Sequence, residues 1–372
     1  MKKTILFVDG HVFDGEFQGT RTYVKEIYLE LLRLCPDIFV YFGANNIESV
    51  KNIFLGYENV GYVKYESNGS LERIFFEIPK IIKKLSCTHA HFQYVIPFTK
   101  VANCNYIVTI HDILFNDFPR EFSLFYRLKR NLLFFFSAKF SSRLFTVSEY
   151  SKKRISQSYR VDEKSIGLTL NGVSQDFFDF SFSKEESRKF IYDNYLINKY
   201  IIYVSRIEPR KNQMLLLDIY LQEKLWQRGY SLVFIGNDTL ASDFESQLKK
   251  INQSVSDNIK WIRQVDYYDL KHFLNGAEVF VYPSKAEGFG IPPLEAAAML
   301  TPVLCSNVTA MEDFSFFYPY TFNPEDKEDF REKLVNIIDH IDNVDVLNIK
   351  NSIKNKYSWK ESAQIILDEL YK

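Results

Sequence analysis

Short apolar runs alternate with helical stretches twice along these 372 residues, which restricts the chain to parallel sheets covered on both faces, built two times over. In the first series, residues 5–8, 38–42, 60–63, 90–92, 106–110 and 144–147 read as strands. A polar loop at 9–22 leads to a helix with Val24, Ile27, Leu31 and Leu34 on one face, and further helices fall near 46–54, 71–85 and 122–140. The second series follows a polar patch at 181–187, with strands at 200–204, 232–235, 259–262, 279–282 and 302–305. Its helices fall near 211–227, 240–254, 291–300, 325–340 and 359–371. The expected architecture is α/β: two doubly wound, Rossmann-like domains, 1–180 and 181–356, facing a central cleft. Ligands of such sheets bind beyond the carboxyl ends of the strands.

Composition narrows the class of protein. With 46% apolar and 25% charged residues the chain reads as globular rather than disordered. Cys35, Cys87, Cys104 and Cys305 form no C-x-x-C, so a disulfide framework or zinc ribbon is not indicated and buried thiols in a reducing cytoplasm are expected. Residues 1–10 are basic and then apolar, but the run is short and lacks a small-residue cleavage site, so a first strand is expected rather than a signal peptide. The net charge of −1 conceals an asymmetry, because residues 120–164 carry 11 Lys and Arg against 4 Asp and Glu. Within it, 121–136 is also rich in Phe, Tyr and Leu. Such a helix suits either an anionic membrane interface or a core position with a solvated face. Peripheral membrane contact through 120–154 is therefore a candidate, and no nucleic-acid motif accompanies the charge.

The chemistry concentrates at strand ends. After the strand at 279–282, the loop carries Glu287, Gly288, Phe289 and Gly290, and a helix with Pro292 in its first turn and Glu295 about a turn in follows. Backbone N–H groups at the glycines and the helix N-terminus favour phosphate or sugar oxygens. One carboxylate can hold a sugar hydroxyl and the other a ribose diol, their separation being on the order of 10 Å from helical rise and loop length. After the strand at 200–204 comes Ser205-Arg206-Ile207-Glu208-Pro209-Arg210-Lys211-Asn212, whose three cations can neutralise a diphosphate leaving group. Gly19 precedes the first helix and allows backbone approach to phosphates. His111 ends another strand, with Asp112 next to it as a candidate to set its tautomer. His89 and His91 share a strand face, but no third ligand is evident and no metal site is expected.

Glu287 and Glu295, with Gly288-Phe289-Gly290 between them, resemble the signature of the retaining nucleotide-sugar glycosyltransferases of family 4, which have the GT-B fold. Arg206 and Lys211 match the family's Arg and Lys after this strand, although Ser205 stands where the family often has Gly. Gly19 matches too, whereas Arg21 replaces a usual second Gly. Val147 to Lys152, Asn171-Gly172-Val173 and Tyr357-Ser358-Trp359-Lys360 extend the likeness to the end of the sequence. The resemblance implies that the last helix, 357–372, completes the first domain. It implies a donor site of Glu295 on the ribose, Arg206 and Lys211 on the diphosphate, and Glu287 with the 288–290 amides on the transferred sugar. Val265 belongs to the same donor-binding set, and Gly19 and His111 close the site from the first domain. No cofactor or metal is implied. The Glu208-Pro209-Arg210-Lys211-Asn212 form of the loop looks like that of members using GDP-mannose as co-substrate. The expected function is therefore mannosyl transfer to a glycan or lipid-linked saccharide acceptor in bacterial surface polysaccharide or lipopolysaccharide synthesis, cytoplasmic or on the inner face of the cell membrane. A UDP- or dTDP-sugar donor, a non-catalytic scaffold and a glycosidase are the alternatives. A nicotinamide oxidoreductase is disfavoured because no G-x-G-x-x-G follows a strand.

Overall fold

The computed structural model describes residues 4–15, 19–67, 69–238 and 243–372, and the chain divides into two compact units. Unit 1 comprises Met1–Gly172 with Ser358–Lys372, and unit 2 is Val173–Tyr357. The division falls at Gly172/Val173 rather than after residue 180, and the returning segment starts at Ser358. Both units are α/β, each with one parallel, doubly wound sheet.

Unit 1 strings β1 (Ile5–Asp9), β2 (Phe39–Ala44), β3 (Val60–Lys64), β4 (His89–Gln93), β5 (Asn105–Thr109), β6 (Arg143–Thr146) and β7 (Ile166–Leu168) in the order β3-β2-β1-β4-β5-β6-β7. The reversal of strand order beside β1 creates the crevice where such sheets take ligands. Phe7, Phe92, Val108 and Leu144 on the strands and Ile78, Ile82 and Ile155 on covering helices form its core. Each such side chain contributes about 1.5–3 kcal/mol by leaving water. The first helix is longer than the sequence pattern indicates. It spans Gly19–Leu34, so 19–22 are helical rather than loop, and it buries Tyr23, Val24, Ile27, Tyr28, Leu31 and Leu32. The helix Trp359–Leu370 packs against it.

The helix Leu124–Phe140 begins on a Ser123 cap and turns Phe134, Ser137 and Ala138 inward. Its outward face mixes basic and apolar side chains. Leu124, Phe125, Leu128, Leu132 and Phe135 are all exposed, Phe125 by 78%. Aromatic contact continues off this helix, since Phe136 meets Phe98 edge-on at 4.6 Å and Phe98 stacks on Phe75 at 4.1 Å. No helix among the described residues is long and apolar enough to cross a membrane. Cys87 and Cys104 are buried thiols as expected, but Cys35 is only partly buried and meets the Tyr371 hydroxyl at 2.9 Å.

Unit 2 places β8 (Tyr200–Val204), β9 (Ser231–Ile235), β10 (Ile259–Ile262), β11 (Val279–Tyr282), β12 (Val303–Ser306) and β13 (Thr321–Phe322) in the order β10-β9-β8-β11-β12-β13. Here too the order reverses, between β8 and β11, the two strands whose following loops carry the sequence motifs. The polar patch at 181–187 is a helix start. Ser183 caps Lys184–Tyr195, and Glu186 reaches back to the Ser183 amide in a capping box, so polarity there marks a helix end and not a linker. The motif stretches without evident chemistry are structural. Ser148 caps the helix Glu149–Tyr159. Gly172 lets Trp359 close in, because a Cβ there would lie 2.5 Å from the Trp359 amide nitrogen.

Candidate active site

In unit 2 the loops leaving β8 and β11 fold onto each other. The Arg210 carbonyl accepts the Lys285 N–H at 2.9 Å, and the Arg210 guanidinium donates to the Ala286 carbonyl. The 3₁₀ turn Pro209–Lys211 then aims Lys211 inward, where its Nζ donates to Glu287 Oε1 at 2.6 Å and to the Tyr282 hydroxyl at 3.0 Å. Arg210 bridges two carboxylates, Glu287 Oε2 at 3.5 Å and Glu208 Oε2 at 3.2 Å. Arg206 Nε lies 2.9 Å from Glu208 Oε1 and keeps 41% of its side chain exposed. Three cations and two carboxylates thus alternate across adjoining strand ends, and the surplus positive charge faces outward at Arg206. Sequence reading singled out Arg206 and Lys211. Arg210, the clamp between the loops, stood there only as one more cation.

Burial alone would raise the Glu287 carboxyl, but Lys211 and Arg210 beside it overcome that and hold it at about 2. The Lys211 ammonium is pushed down by its burial, with Glu287 opposing. Glu287 is therefore a fixed anion throughout the neutral range. It can accept hydrogen bonds from sugar hydroxyls, and it cannot donate a proton as a general acid. A glycosidase needs one carboxyl raised toward neutrality for that purpose. The Glu287 amide donates to Thr309 Oγ1 at 3.0 Å, and Thr309 holds a left-handed backbone with φ +56°. No periodicity or motif in the sequence points to Thr309. Gly236 is equally silent in the sequence. At φ +147°, a Cβ on it would lie 2.0 Å from the Ser205 carbonyl oxygen. The Ile207 amide bonds the Asn237 carbonyl at 2.9 Å, so the loops after β8 and β9 approach closely there and fix the Arg206 turn.

Gly288 follows Glu287, and Gly290 at φ +99° caps the helix Ile291–Ala298. The Phe289 ring is packed inward against Phe314 and Tyr357 at 5.8 and 5.6 Å, so toward a ligand this position offers its backbone. Glu295 is partly buried, a turn into the helix. Val265 is half-buried in the loop after β10, the strand at the far edge of the sheet from β13.

In unit 1, Gly19 opens its helix, exposed, and a Cβ there would meet nothing within 4 Å. The fold itself does not call for glycine at this position. Arg21 turns back to the Gly15 carbonyl at 3.4 Å and lies over the Phe13 ring. His111 is buried between Tyr23 and Tyr94, its ring centroid 4.8 and 5.1 Å from theirs. Its Nε2 meets Gln93 Oε1 at 2.8 Å, so Gln93 on the neighbouring strand, and not Asp112, sets the tautomer. Asp112 instead accepts the Leu114 amide at 3.2 Å. Burial, with His91 adding to it, lowers His111 to about 3, leaving a neutral ring whose Nδ1 is the acceptor. His91 has both ring nitrogens occupied, by Tyr28 at 2.7 Å and Thr109 at 2.9 Å. It is a structural histidine, and no group of three potential metal ligands occurs among the described residues.

Two parallel, doubly wound sheets with cationic and acidic loops at the order reversal of the second define an α/β protein of Rossmann-like type, and comparison with known proteins gives the family. Residues 17–177 match the model described as Glycosyltransferase Family 4 and residues 184–340 match Glycosyl transferases group 1. The chain belongs to the family 4 glycosyltransferases of GT-B fold and is mannosyltransferase-like. It is 28% identical to the O-antigen chain mannosyltransferase RfbU of Salmonella typhimurium over 68% of this chain and 65% of that protein. To O-antigen chain mannosyltransferase B of Escherichia coli it is 32% identical, over 46% of this chain and 44% of that one. The match therefore spans less than two thirds of either relative. Among solved structures, Anabaena HepE in complex with UDP and glucose superposes with a TM-score of 0.76 at 15% identity, covering 99% of each chain. Sucrose-phosphate synthase of Thermosynechococcus elongatus gives 0.77 at 15% identity, covering 100% of this chain and 98% of that one.

Proposed function

We propose that this protein is a retaining, metal-independent hexosyltransferase that moves mannose from GDP-mannose to a glycan or lipid-linked saccharide of a bacterial surface polysaccharide. The observation that carries this reading is the buried Lys211–Glu287 pair at 2.6 Å, flanked by Arg210 and the more exposed Arg206. Arg206 and Lys211 supply positive charge where a diphosphate departs, and a pre-set charge of this kind is the largest single catalytic device in most group transfers. Glu287, held ionised, and the amides of Gly288 to Gly290 orient the transferred sugar, while Glu295 takes the ribose diol. Val265 lines the base side of the donor, and Gly19 and His111 serve from unit 1. The mannosyltransferase relatives and the Glu208 to Asn212 loop support GDP-mannose over UDP or dTDP sugars. With EDTA present, the purified protein is expected to bind and slowly hydrolyse GDP-mannose in preference to UDP-glucose or dTDP-rhamnose. Glu287→Ala is expected to lower that hydrolysis by about 10²-fold or more. Cleavage that stops in EDTA, or preference for another donor, removes the corresponding part of the reading. Binding of no nucleotide sugar at all favours a scaffold.

The outward face of Leu124–Phe140 supports a place at the inner surface of the cell membrane. Five exposed apolar side chains lie among Arg127, Lys129, Arg130 and Lys139, the composition of a helix lying in an anionic interface. Phe125→Ser/Leu128→Ser/Leu132→Ser is expected to weaken sedimentation with phosphatidylglycerol vesicles about tenfold or more, because each apolar side chain withdrawn from lipid costs on the order of 1 kcal/mol or above. The melting temperature should stay within about 2 °C, because these positions are exposed. Unchanged vesicle binding would remove the membrane reading.

A further inference from the structure

At the carboxyl end of β1, in unit 1, a second polar cluster stands apart from every residue assigned above. Asp9, only 1% exposed, closes the strand and is surrounded on three sides. Tyr65, just past β3, donates its hydroxyl to Asp9 Oδ1 at 2.8 Å. Arg73 places NH2 3.8 Å from Oδ2, and His11 places Nδ1 3.0 Å from the same oxygen. Burial alone would raise the carboxyl, but His11, Arg73 and Tyr65 together bring it well below the usual carboxylate range.

The surroundings are built around this arrangement. A Cβ on Gly43 would lie 2.4 Å from the Tyr65 hydroxyl, so the glycine at the end of β2 makes room for it. Arg73 opens a π-helical turn, Arg73–Glu77, and lies over the Tyr65 ring with its guanidinium carbon 5.5 Å from the centroid. Such turns are rare and frequent at functional sites. Arg73 is itself 8% exposed, and its Nε has no hydrogen-bond partner among the described residues.

His11 differs from the other three. It keeps 31% of its side chain exposed, and Asp9 is the one group its ring nitrogens meet among the described residues. Nδ1 lies 3.0 Å from the Asp9 carboxylate but off the line of a hydrogen bond; the carboxylate's charge still favours the proton on that nitrogen, which leaves the lone pair on Nε2. Asp9 and Arg73 cancel in charge, so the site suits a neutral ligand rich in hydroxyls better than a phosphate. Packing gives no reason for an imidazole at this position, since His11 sits on the short 3₁₀ turn His11–Phe13 whose buried residue is Phe13.

We infer that His11, held by Asp9, is an acceptor-site residue: its Nε2 accepts a hydrogen bond from a hydroxyl of the acceptor saccharide. This rests on the glycosyl-transfer reading above. His11 thereby binds and orients the acceptor, while Asp9, Tyr65 and Arg73 act through it as positioning residues.

The test uses the full chain, labelled GDP-mannose, and membranes from source cells lacking this protein as the acceptor. Asn at position 11 can keep the contact to Asp9 but has nothing at the Nε2 position, whereas Gln can reach that position with its carbonyl. His11→Ala and His11→Asn are expected to raise the KM for acceptor membranes about fivefold, and His11→Gln by no more than about twofold, the scale of one hydrogen bond. The calorimetric Kd for GDP-mannose should be the same in all three. Rescue by Asn in place of Gln would assign His11 a structural role and overturn the inference, as would an unchanged acceptor KM in His11→Ala. Absence of transfer by the wild-type protein with any labelled donor would instead remove the functional reading, and this inference with it.

Discussion

Lys211→Met is expected to destabilise unit 2 by about 3 kcal/mol, and Lys211→Met combined with Glu287→Gln to recover most of that loss, because a buried carboxylate deprived of its partner costs more than an uncharged pair of similar volume. Arg210, 3.5 Å from Glu287, compensates in part and keeps the loss at the lower end of the range for broken buried pairs. On the proposed reading transfer should fall by about 10²–10³-fold in both variants, since neither restores the positive charge proposed to face a departing diphosphate. Urea unfolding followed through Trp226 and Trp261, both in unit 2, separates the two effects. Equal instability of single and double variants would show that the pair is not what matters. The acid limb carries the same information. A carboxyl lowered from 4.5 to about 2 binds fewer protons folded than unfolded across that interval, so its stabilisation is complete above pH 4.5 and vanishes as pH falls to about 2. The double variant should lose that slope.

Gly236→Ala is expected to be as damaging from a distance. The new methyl group would lie 2.0 Å from the Ser205 carbonyl oxygen, with backbone on both sides of the clash and φ at +147°. Positive φ strain and overpacking together amount to about 3 kcal/mol or more. Relief requires the loops after β8 and β9 to part, which moves Arg206, and misplacement on the order of 1 Å costs about 10²-fold in rate. Gly19→Ala is the natural control, because a Cβ there meets nothing within 4 Å. Its melting temperature should match the wild type, so any change in donor KM reports contact with ligand. If Gly236→Ala melts and turns over normally, the close approach does not govern the site.

Much of this arrangement was legible in the sequence, and the reasons divide cleanly. Strands such as 200–204 and 279–282 are buried on both faces and read as continuous apolar runs, which located the site-bearing loops at once. β7 and β13, of three and two residues, are too short to produce any periodic signal. Lys184–Tyr195 begins in a capping box inside what the sequence shows only as a polar patch at 181–187, because capping residues and loop residues are the same polar types. At the site, Glu287 and Lys211 stood out through their motifs, but their pairing is a contact between residues far apart in sequence and belongs to the tertiary fold. Partners were harder still. Asp112 is adjacent to His111 in sequence, yet adjacent residues at a strand end diverge, and the imidazole is held by Gln93 from the next strand. Gly236 and Thr309 matter through a close backbone approach and a hydrogen bond from the distant Glu287 amide, respectively, contacts of which a single sequence offers no trace.

The return of Ser358–Lys372 to unit 1 sets an order of events during synthesis. Unit 2 is continuous from Val173 to Tyr357 and has all its strands before the returning helix is made. The sheet of unit 1 is translated first, but the helix Gly19–Leu34 waits for Trp359–Leu370 to cover it, and Gly172 waits for Trp359. The half of the protein that emerges first from the ribosome is therefore the half that is finished last, and until then it exposes an apolar surface to the chaperones around it.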